Sequence, residues 1–418
     1  MVWVLINSVV EIGVRFGNRF SGCVSLSSMA DIDHELTQSG AMIGSNDDLL
    51  IEILRWLPVV SILRFKSVSK HWRSLLNHHH FSHLYGSTSL SPGLFVRDFY
   101  IRYDVENRTT PFRGLNIHPD NRCIKIVQSC NGLLLCCSDR GHQGARAYYV
   151  FNPITKGCAI IPPIIGGLDV VTSIRFMGLA FHQTDCVHYK IICIHREKEF
   201  EQRLQLQIYS SKTGKWKKTT NESFWVSYYS PFSGGVYWNR AFHWAPSYTR
   251  PNYLKLDNEK LLALPLPSPL PARVQSFGGY HDGVRPLYFG ESRGHLHLVD
   301  AENYLHLNVY EMLSDHSGWF VKYQVELDDL EVTYPDITHV LQQESRPHYY
   351  KFEILDVVRG EDEEEVDETF MVIKVSKKII RYNILDKSFK QLFDLTNTLH
   401  QSIGPWAVHR YTGSTTSF

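Results

Sequence analysis

From Leu94 toward the C-terminus one pattern recurs: a short run rich in Val, Ile, Tyr, Phe or Trp, a polar turn, then a second short run. "IKIVQSCNGLLLCCS" shows it first, with the turn at Asn131-Gly132, a dipeptide suited to the left-handed backbone of a two-residue hairpin. "YYVFNPITKGCAIIPP", "LQIYSSKTGKWKK", "YLKLDNEKLLALPLP", "HLHLVDAENYLHLNVYEM" and "IIRYNILDKSFKQLFDL" follow at a loose interval of roughly 40–50 residues, the spacing of propeller repeats. The β-branched and aromatic enrichment predicts strands. Serial hairpins at that interval predict a radial β array of the propeller type. "YEMLSDHSGWFVKYQVEL" looks helical in places, but Ser317-Gly318 interrupts it, and it reads as a strand pair around a loop.

Before that array the periodicity is different. In "LLIEILRWLPVVSILRFKSVSKHW", Leu49, Leu50, Ile53, Leu54 and Leu57 recur at helical spacing and form one apolar stripe. Ser45, three residues before Asp48, approximates a capping box, and the acidic residues suit a helix N-terminus. Pro58 ends the helix, because proline lacks an amide hydrogen and restricts its predecessor. A second short helix is expected at Ser61–Lys66 and a third after Ser69, carrying Trp72, Leu75 and Leu76. Three helices in so short a stretch make too small a bundle to enclose every apolar side chain. Each is worth ~1.5–3 kcal/mol when buried, so part of the stripe is expected to meet a further surface. That surface is either the rest of this chain or a partner protein.

Bulk properties narrow the classes. Over 418 residues, 43% hydrophobic and 21% charged content describes a globular chain, and 43 basic residues balance 43 acidic ones. A nucleic-acid binder is disfavoured, since phosphate neutralisation calls for a basic excess. No apolar run is long enough to span a membrane, and "VWVLINSVV" makes a poor signal peptide. The eight cysteines form no C-x-x-C pair. Several sit in apolar strand-like runs, which fits a reducing compartment, cytoplasmic or nuclear.

Four motifs invite a chemical reading, and each has a plainer one. Gly290 to Gly294, "GESRG", matches the nucleophile-elbow spacing, but that chemistry requires a helix after the serine, and "HLHLVD" alternates as a strand. A hairpin turn is expected. His295 and His297 share a strand face with no carboxylate in view nearby, so they read as polar-face histidines and no metal or cofactor is assigned. His78 to His80 read as a solvated helix end. "EDEEEVDE", residues 361–368, repels itself and is expected to be an exposed loop, with docking of a basic partner as the lesser reading. "LPLPSPLPARV" is expected to be an extended link between blades.

A resemblance organises these observations. "SNDDLLIEILRWLPVVSILRFKSVSKHWRSLLNHHHFSHL" resembles an F-box, with Asp48, Glu52, Pro58, Ser69, Lys70 and Phe81 matching in order beside the apolar positions; Ile43-Gly44 stands where the family opens with Leu-Pro. "SCNGLLLC", "YYVFNPITKGCAIIPP", "GGVYWNRAFHWA" and "LNVYEMLSDHSGWFVKYQVEL" resemble the F-box-associated domain of plant F-box proteins, a kelch-like β-propeller relative. Asn239-Arg240 replaces the family's Asn-Gly, which points to a different turn there. The resemblance implies a disordered extension over 1–42, an F-box helical domain over 43–86 and a β-propeller-like domain over 90–412. It implies further that Leu49, Leu50, Ile53, Leu54, Leu57, Pro58, Leu63, Val68 and Trp72 bind a Skp-type adaptor and, through it, a cullin. On that reading the chain is a non-catalytic substrate adaptor of an SCF-type ubiquitin ligase, with an unspecified target protein on the β domain. Two rivals remain: a sugar-binding or catalytic propeller with an incidental helical cap, and an F-box scaffold outside any ligase.

Overall fold

The computed structural model describes residues 46–54, 65, 70–77, 92–96, 99–104, 124–138, 147–153, 157–166, 174–182, 186–196, 203–219, 224–225, 232, 234–246, 253–275, 285–302, 305–337, 352–360, 369–396 and 408–412. They fall in two compact units, Met1–Ser89 and Leu90–Phe418. The expected extension over 1–42, His78 to His80 and the acidic run 361–368 lie outside the described residues.

The first unit contains helices α1 (Asp47–Leu54) and α2 (Lys70–Asn77). Asn46 starts α1: its Oδ1 accepts from the amides of Asp48 at 3.1 Å and Leu49 at 3.2 Å. Two otherwise orphaned N–H groups are thereby satisfied, so the cap is Asn46 and not the expected Ser45. Leu50 and Leu54, one turn apart, close on Leu75 and Leu76, with Ile51, Phe65 and Trp72 packed around them. Phe65 and Trp72 meet edge to face at 5.4 Å. His71 lies 2.8 Å from Asp47 and ties the two helix starts together. Of the expected middle helix, Phe65 is described and is helical.

The second unit is built of six sheets. The first blade pairs β1 (Gly93–Val96) and β2 (Phe99–Arg102) with the last strand of the chain, β24 (Val408–Tyr411). The second holds β3 (Ile124–Cys130), β4 (Leu133–Ser138), β5 (Tyr148–Phe151) and β6 (Cys158–Ile160). The third holds β7 (Ile174–His182), β8 (Cys186–Arg196), β9 (Arg203–Ser210) and β10 (Lys215–Lys218), with β11 (Phe224–Trp225) added beside β9. The fourth holds β12 (Val236–Trp238), β13 (Ala241–His243), β14 (Tyr253–Lys255) and β15 (Lys260–Leu262). The fifth holds β16 (Tyr288–Ser292), β17 (His295–Ala301), β18 (His306–Met312) and β19 (Trp319–Glu326). The sixth holds β20 (Phe352–Val358), β21 (Phe370–Val375), β22 (Lys378–Asn383) and β23 (Phe389–Asp394).

Consecutive inner strands touch in the order β24, β3, β7, β12, β16, β20, the arrangement of a six-bladed propeller. Blades two to six begin at residues 124, 174, 236, 288 and 352, so the repeat is 50–64 residues, longer than the 40–50 expected. The excess lies in the crossovers; that from β15 to β16 carries the proline-rich link and helix α3 (Ala272–Gln275), whose Val274 is buried. Helix α4 (Asp328–Thr333) similarly follows β19 and seats Leu330.

The apolar cores lie between blades. Leu133, Leu135 and Val150 of blade two face Leu179, Ile191 and Cys193 of blade three, and the blade five–six core is built the same way from Val299, Val309 and Ile373. Two polar contacts repeat with the ring. Trp216 of β10 donates its indole N–H to the carbonyl of Pro162 at 2.8 Å, and Trp319 of β19 donates to that of Pro265 at 2.8 Å. In each case an outer-strand tryptophan binds the proline that leaves the preceding blade.

Four-stranded meanders put every turn from first to second strand at one end of the ring. Three are two-residue turns with positive φ at both positions: Asn131-Gly132 (46° and 84°), Asn239-Arg240 (47° and 58°) and Arg293-Gly294 (49° and 79°). They close the pairs Cys130↔Leu133, Trp238↔Ala241 and Ser292↔His295. The turn at Asn239-Arg240 therefore keeps the mirror-image conformation, contrary to the expectation of a different one, because the ladder on both sides dictates it. An arginine there bears the left-handed strain that glycine avoids. Arg240→Gly is expected to stabilise the domain by ~0.5–1 kcal/mol, the left-handed cost less the added unfolded-state entropy. Urea unfolding with unchanged m-value checks this; a lower midpoint would contradict it.

Candidate functional site

In the helical unit the predicted stripe divides. Leu50 and Leu54 are 3% and 2% exposed and belong to the unit's own core, whereas Leu49 is 48% exposed and Ile53 is half-buried. Trp72 is half-buried against Phe65. Leu57, Pro58, Leu63 and Val68 lie outside the described residues. The division follows from geometry: on an eight-residue helix packed against one neighbour, positions four apart turn inward and those a residue before them turn out. Of the described positions on α1, Leu49 and Ile53 are thus the apolar side chains outside the unit's own core.

In the propeller the inner strands enclose a central channel of about 760 Å³. Gln128 of β3 ties three blades beside it: its Oε1 accepts from the Leu179 amide at 2.6 Å, and its Nε2 donates to the Gly235 carbonyl at 3.1 Å. Deeper in the ring, Asp356 of β20 is 1% exposed and accepts from the hydroxyls of Tyr103 and Tyr288, the latter at 2.9 Å. Arg410 of β24 lies 3.6 Å from the same carboxylate and donates through Nη1 to the Glu291 carbonyl at 2.7 Å. Burial first, and the charge of Asp356 second, push both tyrosine hydroxyls well above their ordinary pKa, so they stay protonated as donors. Burial works against the Arg410 charge, but Asp356 outweighs it.

Blades five and six share a second polar centre. Glu311 of β18 lies 2.8 Å from His295 Nδ1, 3.4 Å from His297 Nε2 and 3.1 Å from Arg359 Nε. This corrects the reading that the two histidines have no carboxylate partner: Glu311 pairs opposite His297 across the ladder and is invisible in a local window. Burial raises the Glu311 carboxyl, yet the surrounding imidazoles and guanidinium outweigh it and hold it at about 2. Among the described residues no group of three or more His, Cys, Asp or Glu has metal-binding geometry. Ser292 is buried at the end of β16, and its Oγ accepts the Arg359 amide at 3.0 Å. The Gly-x-Ser-x-Gly stretch is thus a β16–β17 hairpin, as its alternating continuation predicts. Similarly, β18 and β19 flank the loop that contains Ser317-Gly318.

Residues 46–84 match the family model for the F-box domain, and residues 96–257 match that for the F-box associated beta propeller domain. The chain carries an F-box domain followed by an F-box associated beta propeller domain. F-box protein At5g07610 of Arabidopsis thaliana is 28% identical over 401 residues, which is 88% of this chain and 89% of the relative. The putative F-box/kelch-repeat protein At1g15680 of the same plant is 31% identical over 189 residues, 41% of this chain and 45% of that one. F-box protein At5g49610, also from Arabidopsis thaliana, is 36% identical over 129 residues, covering 30% and 34%. The F-box match contains α1 and α2. The propeller match ends beyond β14, while the ring itself runs on to Tyr411.

The polar centres of the channel were not legible in the sequence. Tyr103 and Asp356 are 253 residues apart, and no motif joins them. Replacing Arg410 with methionine leaves a buried carboxylate without its cation. The expected loss is ~3–5 kcal/mol in urea unfolding; an unchanged midpoint would show that the Arg410–Asp356 pair does not hold the domain together.

A pH dependence follows from blades four and five. His243 and His316 meet Nε2 to Nε2 at 2.9 Å, each ring lies parallel to Tyr253, and Lys255 and Asp315 act on His316. Burial, then the His316 charge, lowers the His243 pKa from 6.5 to about 3. The unfolded chain therefore binds the proton more tightly, and this contribution is complete above pH ~6.5 and lost as pH falls toward 3, by up to ~1.4 kcal/mol per unit. Stability measured from pH 7 to 5 should fall in the wild type and fall less in His243→Gln; equal slopes would rule the histidine out.

Proposed function

We propose that this F-box protein is the target-recognition subunit of an SCF-type ubiquitin ligase. The helical unit docks on a Skp-type adaptor, which links it to a cullin, and the propeller holds the protein to be ubiquitinated. The observation that carries the reading is the order of the two parts, an F-box followed by an F-box-associated propeller, which match family models in one chain. On α1, Leu49 and Ile53 offer the apolar contact, beside whatever residues 55–69 contribute. The propeller contributes a rigid scaffold, because a closed ring has few free edges and its connections can vary without disturbing the cores. Bond-forming chemistry belongs to other subunits. The role of this chain is to raise the effective concentration of a target lysine near the ubiquitin carrier. A cytoplasmic or nuclear site accords with free cysteines at 130, 136, 137, 158 and 193, and no helix among the described residues is long and apolar enough to cross a membrane.

Co-expression with a Skp-type protein tests the docking face. Leu49→Asp and Ile53→Asp should abolish co-purification while the unfolding profile stays that of the wild type, since each places a charge in an apolar interface and not in the core. Leu54→Asp should unfold the helical unit. Adaptor recovery unchanged with Leu49→Asp and Ile53→Asp together would refute the assigned face. Absence of any cullin from the purified complex would refute the ligase reading.

A further inference from the structure

The turns that join third to fourth strands stand at the rim of the ring, at the same end as those from first to second. In blades three, four and five these outer turns carry an uneven charge. Residues 211–219, 253–262 and 313–321 hold six lysines against three carboxylates, Asp257, Glu259 and Asp315, and no arginine. Lys212 sits in the turn between β9 and β10, while Lys215, Lys255 and Lys260 border a turn from the strand side, and all four are exposed. Lys217 binds Glu259 at 2.8 Å, which sets the outer strand of blade three beside the outer turn of blade four. Burial first, and the charge of Lys255 second, lower the pKa of His316, so the outer turn of blade five comes next along the rim. Lys212, Lys215, Lys218, Lys255 and Lys260 have no ion-pair partner among the described residues.

Apolar side chains continue the same rim. Leu313, whose carbonyl accepts the His316 amide at 2.9 Å within the β18–β19 turn, is 44% exposed, and Phe320 and Val321 at the start of β19 are 39% and 45% exposed. Lysines commonly guard open strand edges. Lys212 lies in a turn and Lys255 on the third strand of its blade, so edge protection does not account for either. The residue type narrows the ligand. Arginine forks suit the paired oxygens of a single carboxylate or phosphate, whereas lysine acts as a point charge. A row of lysines without arginine, on the outside of a ring, suits a diffuse negative surface better than one bound group. Beside exposed leucine, phenylalanine and valine, it supplies the two attractions that hold a protein to an anionic bilayer: charge toward the headgroups and apolar burial at the acyl boundary.

We propose that the rim formed by the outer turns of blades three to five is a peripheral docking surface for an anionic membrane. Lys212, Lys215, Lys255 and Lys260 meet the headgroups, and Leu313, Phe320 and Val321 reach the acyl boundary. This surface requires nothing of the helical unit, and in an assembled ligase it would hold the propeller at a lipid surface.

The test sediments the full chain, co-purified with its Skp-type adaptor, with vesicles of phosphatidylcholine alone and with vesicles of phosphatidylcholine and phosphatidylserine in equal parts. The protein should pellet with the mixed vesicles, less so as salt is added, and stay in solution with phosphatidylcholine. Lys212→Gln and Lys255→Gln together should weaken binding ~10- to 30-fold with an unchanged unfolding midpoint, the loss of two lysines near a charged surface. Leu313→Gln should weaken it as well, by a factor that salt does not alter. Lys390→Gln, exposed on outer strand β23 of blade six, should leave it unchanged. Equal pelleting with both vesicle types, none with either, or an equal loss in Lys390→Gln would overturn the proposal. Capture of a soluble polyglutamate peptide without vesicle binding would assign the rim to an acidic protein and overturn it too. Adaptor and cullin recovery from the same samples separates the two claims: vesicle binding absent with both retained sinks the membrane surface, and the reverse sinks the ligase reading.

Discussion

Ring closure is the constraint on which the rest of the propeller depends. β24, the last strand, lies against β1, the first, so the opening and closing segments of the domain share one blade. Hydrogen bonds between Gly93–Val96 and Val408–Tyr411 remove two free edges that would otherwise stand open to other chains. Charge supports the same join. Arg410 comes from the closing strand, Asp356 from the blade before it, and Tyr103 from the end of the opening blade. A buried carboxylate is tolerable when its oxygens are served, and here Tyr103 and Arg410 of blade one and Tyr288 of blade five meet Asp356 of blade six when the ring is shut. Tyr288, Asp356 and Arg410 also line the channel, so the polar cluster that joins the blades is part of the channel wall.

Between blades the dominant interaction is apolar. Each sheet buries both faces, one against each neighbour, which is why strands such as β4 and β21 are nearly continuous in Val, Ile, Leu, Phe, Met and Cys. The tryptophan-to-proline hydrogen bonds of Trp216 and Trp319 add a directional contact to this non-directional packing. They also give a reason for the prolines that end the outer strands: a proline carbonyl accepts while its missing amide leaves no donor unsatisfied. Polar residues buried between blades follow the same logic, as Glu311 shows with two histidines and an arginine around it.

The helical unit obeys the opposite economy. Two described helices of eight residues bury four leucines, and that is enough to leave Leu49 largely exposed. A stripe read from periodicity contains both the side chains that hold the unit together and those that remain outside. Their spacing is identical, since both obey the same helical period, so burial alone tells them apart.

Sequence by itself determined the elements and their class: the helical start before Pro58, the hairpins at Asn131-Gly132 and Arg293-Gly294, the strands around Ser317-Gly318, and the resemblance that joins a helical head to a β array. These are local signals, set by backbone conformations that a few adjacent residues favour. Tertiary structure alone decided the six-blade count, the pairing of β24 with β1, the meeting of Tyr103 with Asp356, the carboxylate opposite His297, and the division of the leucine stripe. The physical reason is separation: a carboxylate and its donor, or two strand edges, carry no mutual periodicity along the chain. Their attraction becomes definite when the blades are packed and water has left the space between them.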